Sequence, residues 1–320
     1  MKTPPLTSPG IELLQSTPTA GAIAAVGALP GDFMVLGVGG KMGTTLAVML
    51  RRALDAAGRP DTVVTGVSRF SRSETRTELE QLGVRTLPCD LADPAQVTAL
   101  PTAANVLYLA GQKFGTDSAP ELTWIQNTCV PALVAQRFRG SRLVVFSTGC
   151  VYPFVPADGP GANERDPVAF IGEYASTCVG RERVFTHYAK LFGTPVLMFR
   201  LNYSVELRYG VLVDIAIKVH RREKIDVSMG HVNAIWQQDA NAQSLAALSL
   251  GSSPPFVLNV VGPELLNIRR VAQDFGKLMN ETPQIAGTEA ADALLGNSDL
   301  AQKLYGKAGT SVEQLMRCID

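Results

Sequence analysis

The sequence has few of the residues that metal sites and disulfide frameworks require. Its 320 residues contain five cysteines and three histidines, with no Cys-x-x-Cys pair and no histidine ligand spacing. An odd, scattered set of cysteines argues against a disulfide framework and a structural zinc site, and fits a reducing compartment. We therefore predict a cytoplasmic protein without a metal ion.

The chain also lacks an excess of charge and a long hydrophobic run. It has 29 basic and 29 acidic residues and no basic stripe, which argues against a nucleic-acid partner. The apolar run Ala20 to Leu29 is too short to span a bilayer, and a single Lys2 is a weak start for a signal peptide. We predict no membrane attachment and interpret residues 1–30 as an N-terminal extension that packs against the core.

An apolar strand pattern, a glycine-rich turn and a helical pattern follow one another directly. The strand covers 33–36, the helix covers 44–57, and the turn between them contains Gly37, Gly39, Gly40, Lys41, Met42 and Gly43. Such a turn lets the backbone approach a pyrophosphate, and the helix N-terminus favours that anion. Glycines alone also occur in plain tight turns. The strand–turn–helix context favours a dinucleotide site.

Strand-like and helical patterns alternate through the first two-thirds of the chain. The strands are predicted at 33–36, 62–67, 84–87, 106–109, 143–146 and 196–199, and the helices at 44–57, 73–82, 94–100, 122–138 and 173–192. This βαβ rhythm predicts an α/β fold, a Rossmann-type doubly wound parallel sheet, over residues 31–201. The rhythm changes afterwards, which predicts a smaller C-terminal α/β substrate lobe at 202–320, with possible exchange of a strand or helix back to the sheet.

Polar residues after the second predicted strand bear on the choice of cofactor. An NAD site usually has an acidic residue there, whereas this chain has Ser68 and Arg69, with Arg72 close by. A guanidinium pairs well with a phosphate, so the pattern favours NADP, with NAD as the alternative. A solvated basic loop would have the same composition.

The next two strand ends add candidates for dinucleotide contacts. Asp90, with Leu91 beside it, follows the third strand and is placed either to accept from an adenine amino group or to cap the helix near Pro94. The fourth strand ends in Ala110 and Gly111, whose small size allows close approach, and Lys113 is in reach of a phosphate, ribose or substrate.

Hydroxyl groups follow the fifth strand and open the long helix after it. Thr148 ends the strand, and Tyr174 lies in the first turn of the predicted helix at 173–192. The carboxyl ends of parallel strands face one ligand crevice, so we expect the two hydroxyls to converge there.

These motifs together resemble the extended short-chain dehydrogenase/reductases known as NAD-dependent epimerase/dehydratases. The resemblance covers about residues 33 to 320 and is carried by Gly37, Gly40, Gly43, Ala110, Gly111, Lys113, Asn127, Thr148, Tyr174, Glu182, Arg200, Asn202 and the segment 295–306. It implies cofactor contacts from the glycine turn, from Asn127 and from Asn202. It also implies that Thr148 hydrogen-bonds a substrate oxygen while Tyr174 exchanges a proton.

The sequence departs from the family pattern at two positions. Cys178 stands where the family has a lysine whose charge stabilises the tyrosinate, and Arg181 is a cation one turn further along. Val232 stands where sugar-nucleotide members usually have an arginine, seven residues before Asp239. The substrate candidates near it are His231, Asn233 and Gln237, which are equally compatible with a structural polar loop.

The resemblance predicts an NAD(P)-dependent oxidoreductase or epimerase/dehydratase. Its substrate would be a polar small molecule such as a sugar or sugar acid, acted on at a hydroxyl or carbonyl carbon. The alternative is a dinucleotide-binding sensor or interaction protein with little turnover, which the loss of the lysine at Cys178 favours. A homodimer is left open.

Overall fold

A seven-stranded parallel sheet forms the centre of the protein. The computed structural model describes residues 7–307 and 309–319. The strands are β1 Phe33–Leu36, β2 Val64–Ser68, β3 Arg85–Pro88, β4 Asn105–Tyr108, β5 Arg142–Thr148, β6 Val196–Leu201 and β7 Phe256–Val260. Their order is β3-β2-β1-β4-β5-β6-β7, with every neighbouring pair parallel. The predicted Rossmann-type fold is therefore confirmed.

Helices cover both faces of this sheet. The α-helices of the described residues, on the sheet and in the C-terminal third, are α1 Ser8–Gln15, α2 Ala20–Ala28, α3 Gly43–Ala56, α4 Ser73–Gln81, α5 Pro94–Ala99, α6 Pro120–Trp124, α7 Val130–Arg137, α8 Gly172–Phe192, α9 Val211–His220, α10 Gln237–Ala246, α11 Ile268–Met279, α12 Asp299–Tyr305 and α13 Val312–Ile319. Among the described residues, no helix is long and apolar enough to cross a membrane.

The strand β1 shows why an unbroken apolar run gives a central parallel strand. Phe33 and Val35 pack into one core cluster with α3, whereas Met34 and Leu36 pack into a second cluster with α7 and α8. All four residues are buried because helices cover both faces.

The N-terminal segment packs on the sheet layer as two helices. Thr7 and Thr19 cap them through their side-chain oxygens. Ala22 and Val26 of α2 are fully buried in the first core cluster, against α3 and α10.

The C-terminal third has a core of its own but also returns to the sheet. α9, α11 and α13 enclose a third apolar cluster that includes Leu212, Phe275 and Leu315. Short strands pair around it: 204–205 with 235–236, 231–232 with 266–267, and 224–226 with 284–286, while 155–156 pairs with 292–293. β7 extends the central sheet beside β6, and Leu245 of α10 and Ala301 of α12 pack into the first core cluster.

The helix predicted at 122–138 is interrupted at its middle. A π-helical turn, Ile125–Cys129, separates α6 from α7, and the Val130 N–H bonds to the Ile125 carbonyl five residues earlier. Pro131 has no N–H to donate, so the regular ladder cannot continue there. Asn127 lies within this widened turn.

Candidate active site

The glycine turn brings three backbone segments together at the carboxyl edge of the sheet. Gly37 has a φ of +90°, and a Cβ there would lie 2.7 Å from the Ala110 nitrogen. A Cβ on Gly43 would lie 2.7 Å from the Gly37 oxygen and from the Val38 Cα. Met42 precedes α3 without a side-chain cap, so the first-turn N–H groups have no side-chain acceptor. This arrangement suits a bound anion.

The rest of the turn lies beside the basic segment that follows β2. A Cβ on Gly39 would lie 2.7 Å from the Ser68 hydroxyl oxygen. Lys41 is exposed, with Nζ 4.0 Å from the Tyr209 ring centroid. Gly40, also exposed, donates its N–H to the Gly37 oxygen.

Arg69 and Arg72 are exposed cations in the segment that follows Ser68. Arg69 follows β2 directly, and Arg72 immediately precedes α4. Within residues 7–307 and 309–319, neither guanidinium has a carboxylate at ion-pair distance. Both side chains are therefore available to an anionic group near Ser68.

The structure separates the two roles considered for Asp90. Its Oδ1 accepts from the Ala92 N–H at 3.0 Å. The N-cap of α5 is Asp93, which accepts from the Ala95 and Gln96 N–H groups, so a capping role for Asp90 is wrong. The cap must stand directly before the first helical residue, and Asp93 holds that position. Leu91 is buried in the second core cluster.

Asn127 fixes the segment that follows β4. Its Oδ1 accepts from the Gln112 N–H at 2.9 Å, and its Nδ2 donates to the Gln112 carbonyl at 2.9 Å. These two bonds hold the loop between Ala110 and Lys113. Gly111 and Lys113 are exposed on this loop. The amide of Asn127 therefore fixes the backbone of the loop at the edge of the crevice.

Thr148 and Tyr174 meet where β5 ends and α8 begins. Thr148 is buried, and its Oγ1 accepts from the Cys150 N–H at 3.1 Å. Burial raises the pKa of the Tyr174 phenol, Cys178 raises it further, and a hydrogen bond with Thr148 acts in the opposite direction. Thr148 therefore lies on the side of the Tyr174 phenol, and burial keeps that phenol protonated.

Cys178 lies one turn after Tyr174 and is fully buried. Burial raises the pKa of its thiol, although Arg181 partly offsets this. The thiol is therefore neutral at physiological pH and supplies no charge to Tyr174.

The side chain of Arg181 extends further than its place in the sequence, one turn beyond Cys178, indicates. Its buried guanidinium donates to the Phe146 carbonyl at 2.9 Å and to Asn127 Oδ1 at 2.6 Å. It lowers the pKa of Tyr174, against the larger effect of burial. The spacing of seven residues places both on one helix face, and the long arginine side chain covers the remaining separation.

Glu182 and Arg200 form a buried ion pair under this site. Ser147 donates to Glu182 at 2.6 Å, and Arg200 donates to the Tyr152 hydroxyl at 2.6 Å. Sequence spacing pointed to both charged residues but not to their pairing. The sequence signal for the pairing is that Arg200 interrupts the otherwise apolar strand Val196–Leu201, where a charge needs a buried partner.

The predicted substrate-binding candidates in the lobe form hydrogen bonds with other residues of the protein. Asn202 packs on Gly149 and donates to Asn233 Oδ1 at 3.2 Å, while Asn233 Nδ2 donates to the Gly296 carbonyl at 2.6 Å. Gln237 is fully buried and donates to Gln15 at 2.7 Å and to Thr45 at 3.0 Å. The His231 ring lies 3.3 Å from the Asn267 amide nitrogen. These contacts favour framework roles for Asn233 and Gln237.

No group of three or more His, Cys, Asp or Glu side chains with metal-binding geometry occurs in the described part of the chain. The five cysteines are free.

The comparisons agree with this geometry. The sequence pattern of the NAD dependent epimerase/dehydratase family matches residues 33–209. The chain belongs to this family. The resemblance inferred from the motifs, and with it the prediction of an NAD(P)-dependent enzyme class, is confirmed, while the roles of individual site residues stay predictions.

Solved structures of similar fold cover most of the chain. MoeE5 in complex with UDP-glucose and NAD is 20% identical, with a TM-score of 0.71 over 90% of this chain and 97% of that one. The Bacillus cereus UDP-glucuronic acid 4-epimerase in complex with NAD is 16% identical, with a TM-score of 0.73 over 90% and 96%. The Thermus thermophilus UDP-glucose 4-epimerase complex with NAD is 18% identical, with a TM-score of 0.70 over 90% and 97%. None of the curated proteins matches the sequence.

Proposed function

We propose that this protein is an NAD(P)-dependent epimerase/dehydratase or dehydrogenase acting on a hydroxyl or carbonyl carbon of a sugar, sugar acid or related polar molecule. The observation that carries the proposal is the placement of Thr148 at the end of β5 and of Tyr174 in the first turn of α8, both at the carboxyl edge of the sheet. Ligands of doubly wound sheets bind at this edge.

The residues around the edge fit a nicotinamide dinucleotide. The close backbone approach at Gly37 and Gly43 requires glycine at both positions of the turn, and the uncapped start of α3 offers N–H groups to a pyrophosphate. When bound, the nicotinamide supplies the hydride acceptor or donor. Asn127 holds the loop at Gly111 against which that half of the dinucleotide would rest.

Thr148 and Tyr174 divide the remaining chemistry between them. Thr148 Oγ1 accepts from the Cys150 N–H, which leaves its own hydrogen to donate either to the Tyr174 oxygen or, with substrate bound, to a substrate oxygen. Tyr174 takes a proton from the substrate hydroxyl in the oxidation direction and returns one in the reduction direction.

NADP is the cofactor we propose, in preference to NAD. The support is the pair of exposed guanidinium groups of Arg69 and Arg72 beside Ser68, where a 2′-phosphate would lie. The NAD bound in the similar structures leaves this choice open, because at that identity they share the fold alone.

The substrate class we propose is a free sugar or sugar acid. The similar structures include UDP-sugar enzymes. However, the position expected to hold an arginine for a diphosphate is Val232, which is buried. A valine in the core offers no charge to a nucleotide diphosphate.

The test of the function is native mass spectrometry of the purified protein, followed by turnover assays with a panel of polyols, sugars and sugar acids. We expect a dinucleotide to co-purify with the protein. We expect Tyr174→Phe to abolish hydride transfer while dinucleotide binding changes little. Full activity of Tyr174→Phe would contradict the proposal.

A second candidate function is a dinucleotide sensor with little turnover. The neutral, fully buried Cys178 beside Tyr174 favours it. Dinucleotide binding without hydride transfer across the whole substrate panel would support the sensor.

We further propose that the protein is cytoplasmic and forms a homodimer. Leu122, Trp124 and Ile125 are exposed apolar residues on one helical segment, and such patches mark protein contacts. The free cysteines suit a reducing compartment. Sedimentation at micromolar concentration tests the dimer: a sedimentation coefficient of a single 34.1 kDa chain would contradict it.

A further inference from the structure

Arg181 is a buried cation whose direct partners are neutral. Its Nη1 and Nη2 donate to the Phe146 carbonyl and to the Asn127 amide oxygen. Its Nε has no hydrogen-bond partner among the described residues, and no carboxylate there lies at ion-pair distance. Burying a charge without a counter-charge is costly, so an anion formed nearby is strongly stabilised.

The nearest carboxylate does not neutralise Arg181. Glu182 follows it directly in α8, but Arg200 donates to Oε1 at 2.9 Å and to Oε2 at 2.7 Å. Ser147 occupies Oε1 as well, at 2.6 Å. Glu182 and Arg200 balance each other, which leaves the charge of Arg181 uncompensated.

Three groups that can become anions face the guanidinium. They are Tyr108 on β4 and Tyr174 and Cys178 on α8. Hydrogen bonds connect Arg181 to the turn that carries Tyr174: Asn127, which accepts from Arg181, donates to Thr177 Oγ1 at 3.0 Å, and Thr177 Oγ1 donates to the Tyr174 carbonyl at 2.9 Å. Tyr108 and Cys178 are fully buried, whereas Tyr174 is half-buried at the edge of the crevice. Tyr174 is faced in turn by the side chains of Cys150, Cys178 and Arg181, and Arg181 is the cation among these three. Tyr174 is therefore the group whose proton can leave toward solvent or substrate.

Gly111 provides the space that this arrangement requires. A Cβ at that position would overlap Nη2 of Arg181 and would lie 2.8 Å from Asn127 Oδ1. The side chain of Arg181 thus extends from α8 to the loop after β4, where it contacts Gly111 and Asn127.

We infer that Arg181 is a positioning residue that supplies the positive charge for the Tyr174 phenolate, in place of a charge at position 178. The inference rests on the proposed acid–base role of Tyr174. When the Tyr174 O–H passes its proton to a substrate oxygen or to water, the phenolate left behind cancels the charge of Arg181. The pair then carries no net charge inside the protein.

The test measures the ionisation of residue 174 in the ligand-free protein. 3,5-Difluorotyrosine, whose phenol is more acidic than that of tyrosine, replaces Tyr174, and fluorine NMR follows its titration. Two neutral variants, Arg181→Met and Arg181→Gln, are compared with the charge-retaining Arg181→Lys. The matched control is Arg183→Gln, an exposed arginine on the same helix.

We expect the two neutral variants to raise the pKa at position 174 by about one to three units, as loss of a nearby cation does. Arg181→Lys should stay nearer the wild-type pKa, and Arg183→Gln should leave it unchanged. Both neutral variants remove a charge without orphaning a carboxylate, so we expect at least one to fold. A wild-type pKa in a folded neutral variant would overturn the inference.

This titration needs no substrate and no turnover. Its failure is therefore distinguishable from failure of the proposed function, which would appear as full activity of Tyr174→Phe.

Discussion

Arg200 on β6 and Glu182 on α8 form a bidentate ion pair beneath the candidate site. The Nε–Oε1 distance is 2.9 Å and the Nη2–Oε2 distance is 2.7 Å, and both side chains are at most 10% exposed. Ser147 of β5, which lies directly opposite Arg200 in the sheet register, donates to the same carboxylate. The pair therefore ties the helix that carries Tyr174 to β6, and the Ser147 hydrogen bond ties the same carboxylate to β5, the strand that ends in Thr148.

Replacing one partner of this pair should destabilise the fold strongly. Glu182→Gln leaves the Arg200 guanidinium buried without a counter-charge, so we expect the free energy of unfolding to fall by about 3–5 kcal/mol. The control is Glu80→Gln, which breaks an exposed, solvent-screened pair with Arg76 and should cost far less. Urea unfolding followed by circular dichroism measures both. Equal costs would show that the buried pair does not hold α8 in place.

The N-terminal extension should contribute to stability through one buried amide. Gln15 is fully buried, accepts from Gln237 at 2.7 Å and donates to the Glu206 carboxylate. Gln15→Ala removes one hydrogen bond from each group, while Gln237 keeps Thr45 and Glu206 keeps Arg208, so we expect a total cost of about 1–3 kcal/mol. Leu14→Ala, an exposed site on the same helix, serves as the control and should change little. Thermal unfolding of both variants decides, and a wild-type midpoint for Gln15→Ala would contradict this role.

The choice between NADP and NAD should depend on Arg69 and Arg72. Removing both with Arg69→Ala and Arg72→Ala should weaken NADP binding by roughly 10- to 100-fold, the loss expected for hydrogen bonds to a charged phosphate. NAD affinity should stay nearly constant. Arg76→Ala, one turn along α4 and bonded to Glu80, is the matched control. Calorimetric titration of both dinucleotides measures the effect, and an unchanged NADP affinity would show that the 2′-phosphate lies elsewhere.

Turnover should depend on pH through the raised pKa of Tyr174. Burial is the main cause, and Cys178 adds to it, so the phenolate is scarce at neutral pH. In the oxidation direction the phenolate accepts the proton, and the rate should therefore rise toward alkaline pH. Cys178→Lys adds a second cation and should move this rise to lower pH by about one unit or more.

The matched control for that variant is Cys178→Met, which adds length without charge and should leave the pH profile unshifted. Because position 178 is fully buried next to Arg181, Cys178→Lys should also be less stable than the wild type. Identical pH–rate profiles for the lysine and methionine variants would remove the electrostatic explanation.

The central sheet could be predicted because its signals are local. Phe33 to Leu36 are apolar on both faces of the strand, and the glycine turn Gly37 to Gly43 follows directly. The strand, the turn and the start of the helix can therefore each be predicted from a few consecutive residues. Parallel strands buried on both faces need only this run of apolar residues. The same holds for Thr148 and Tyr174, since strand ends and helix starts converge at one edge in this fold.

The roles of Gln237 and Arg181 could not be predicted in the same way. Gln237 meets Gln15, which is 222 residues earlier, so its burial depends on how the extension packs against α10. Arg181 finds its acceptors on β5 and in the π-helical turn, 35 and 54 residues away. Sequence spacing gives the face of a helix, but the length of a side chain and the acceptors it meets come from the tertiary fold.

The most direct test of the account is a crystal structure of the protein with NADP bound. We expect the pyrophosphate over the N-terminus of α3 at Gly37–Gly43, the 2′-phosphate beside Arg69, and the nicotinamide facing Tyr174 and Thr148. A dinucleotide bound away from the carboxyl edge of the sheet, or a nicotinamide remote from the Tyr174 hydroxyl, would contradict the assignment of this chain as an enzyme that uses Tyr174 in hydride chemistry.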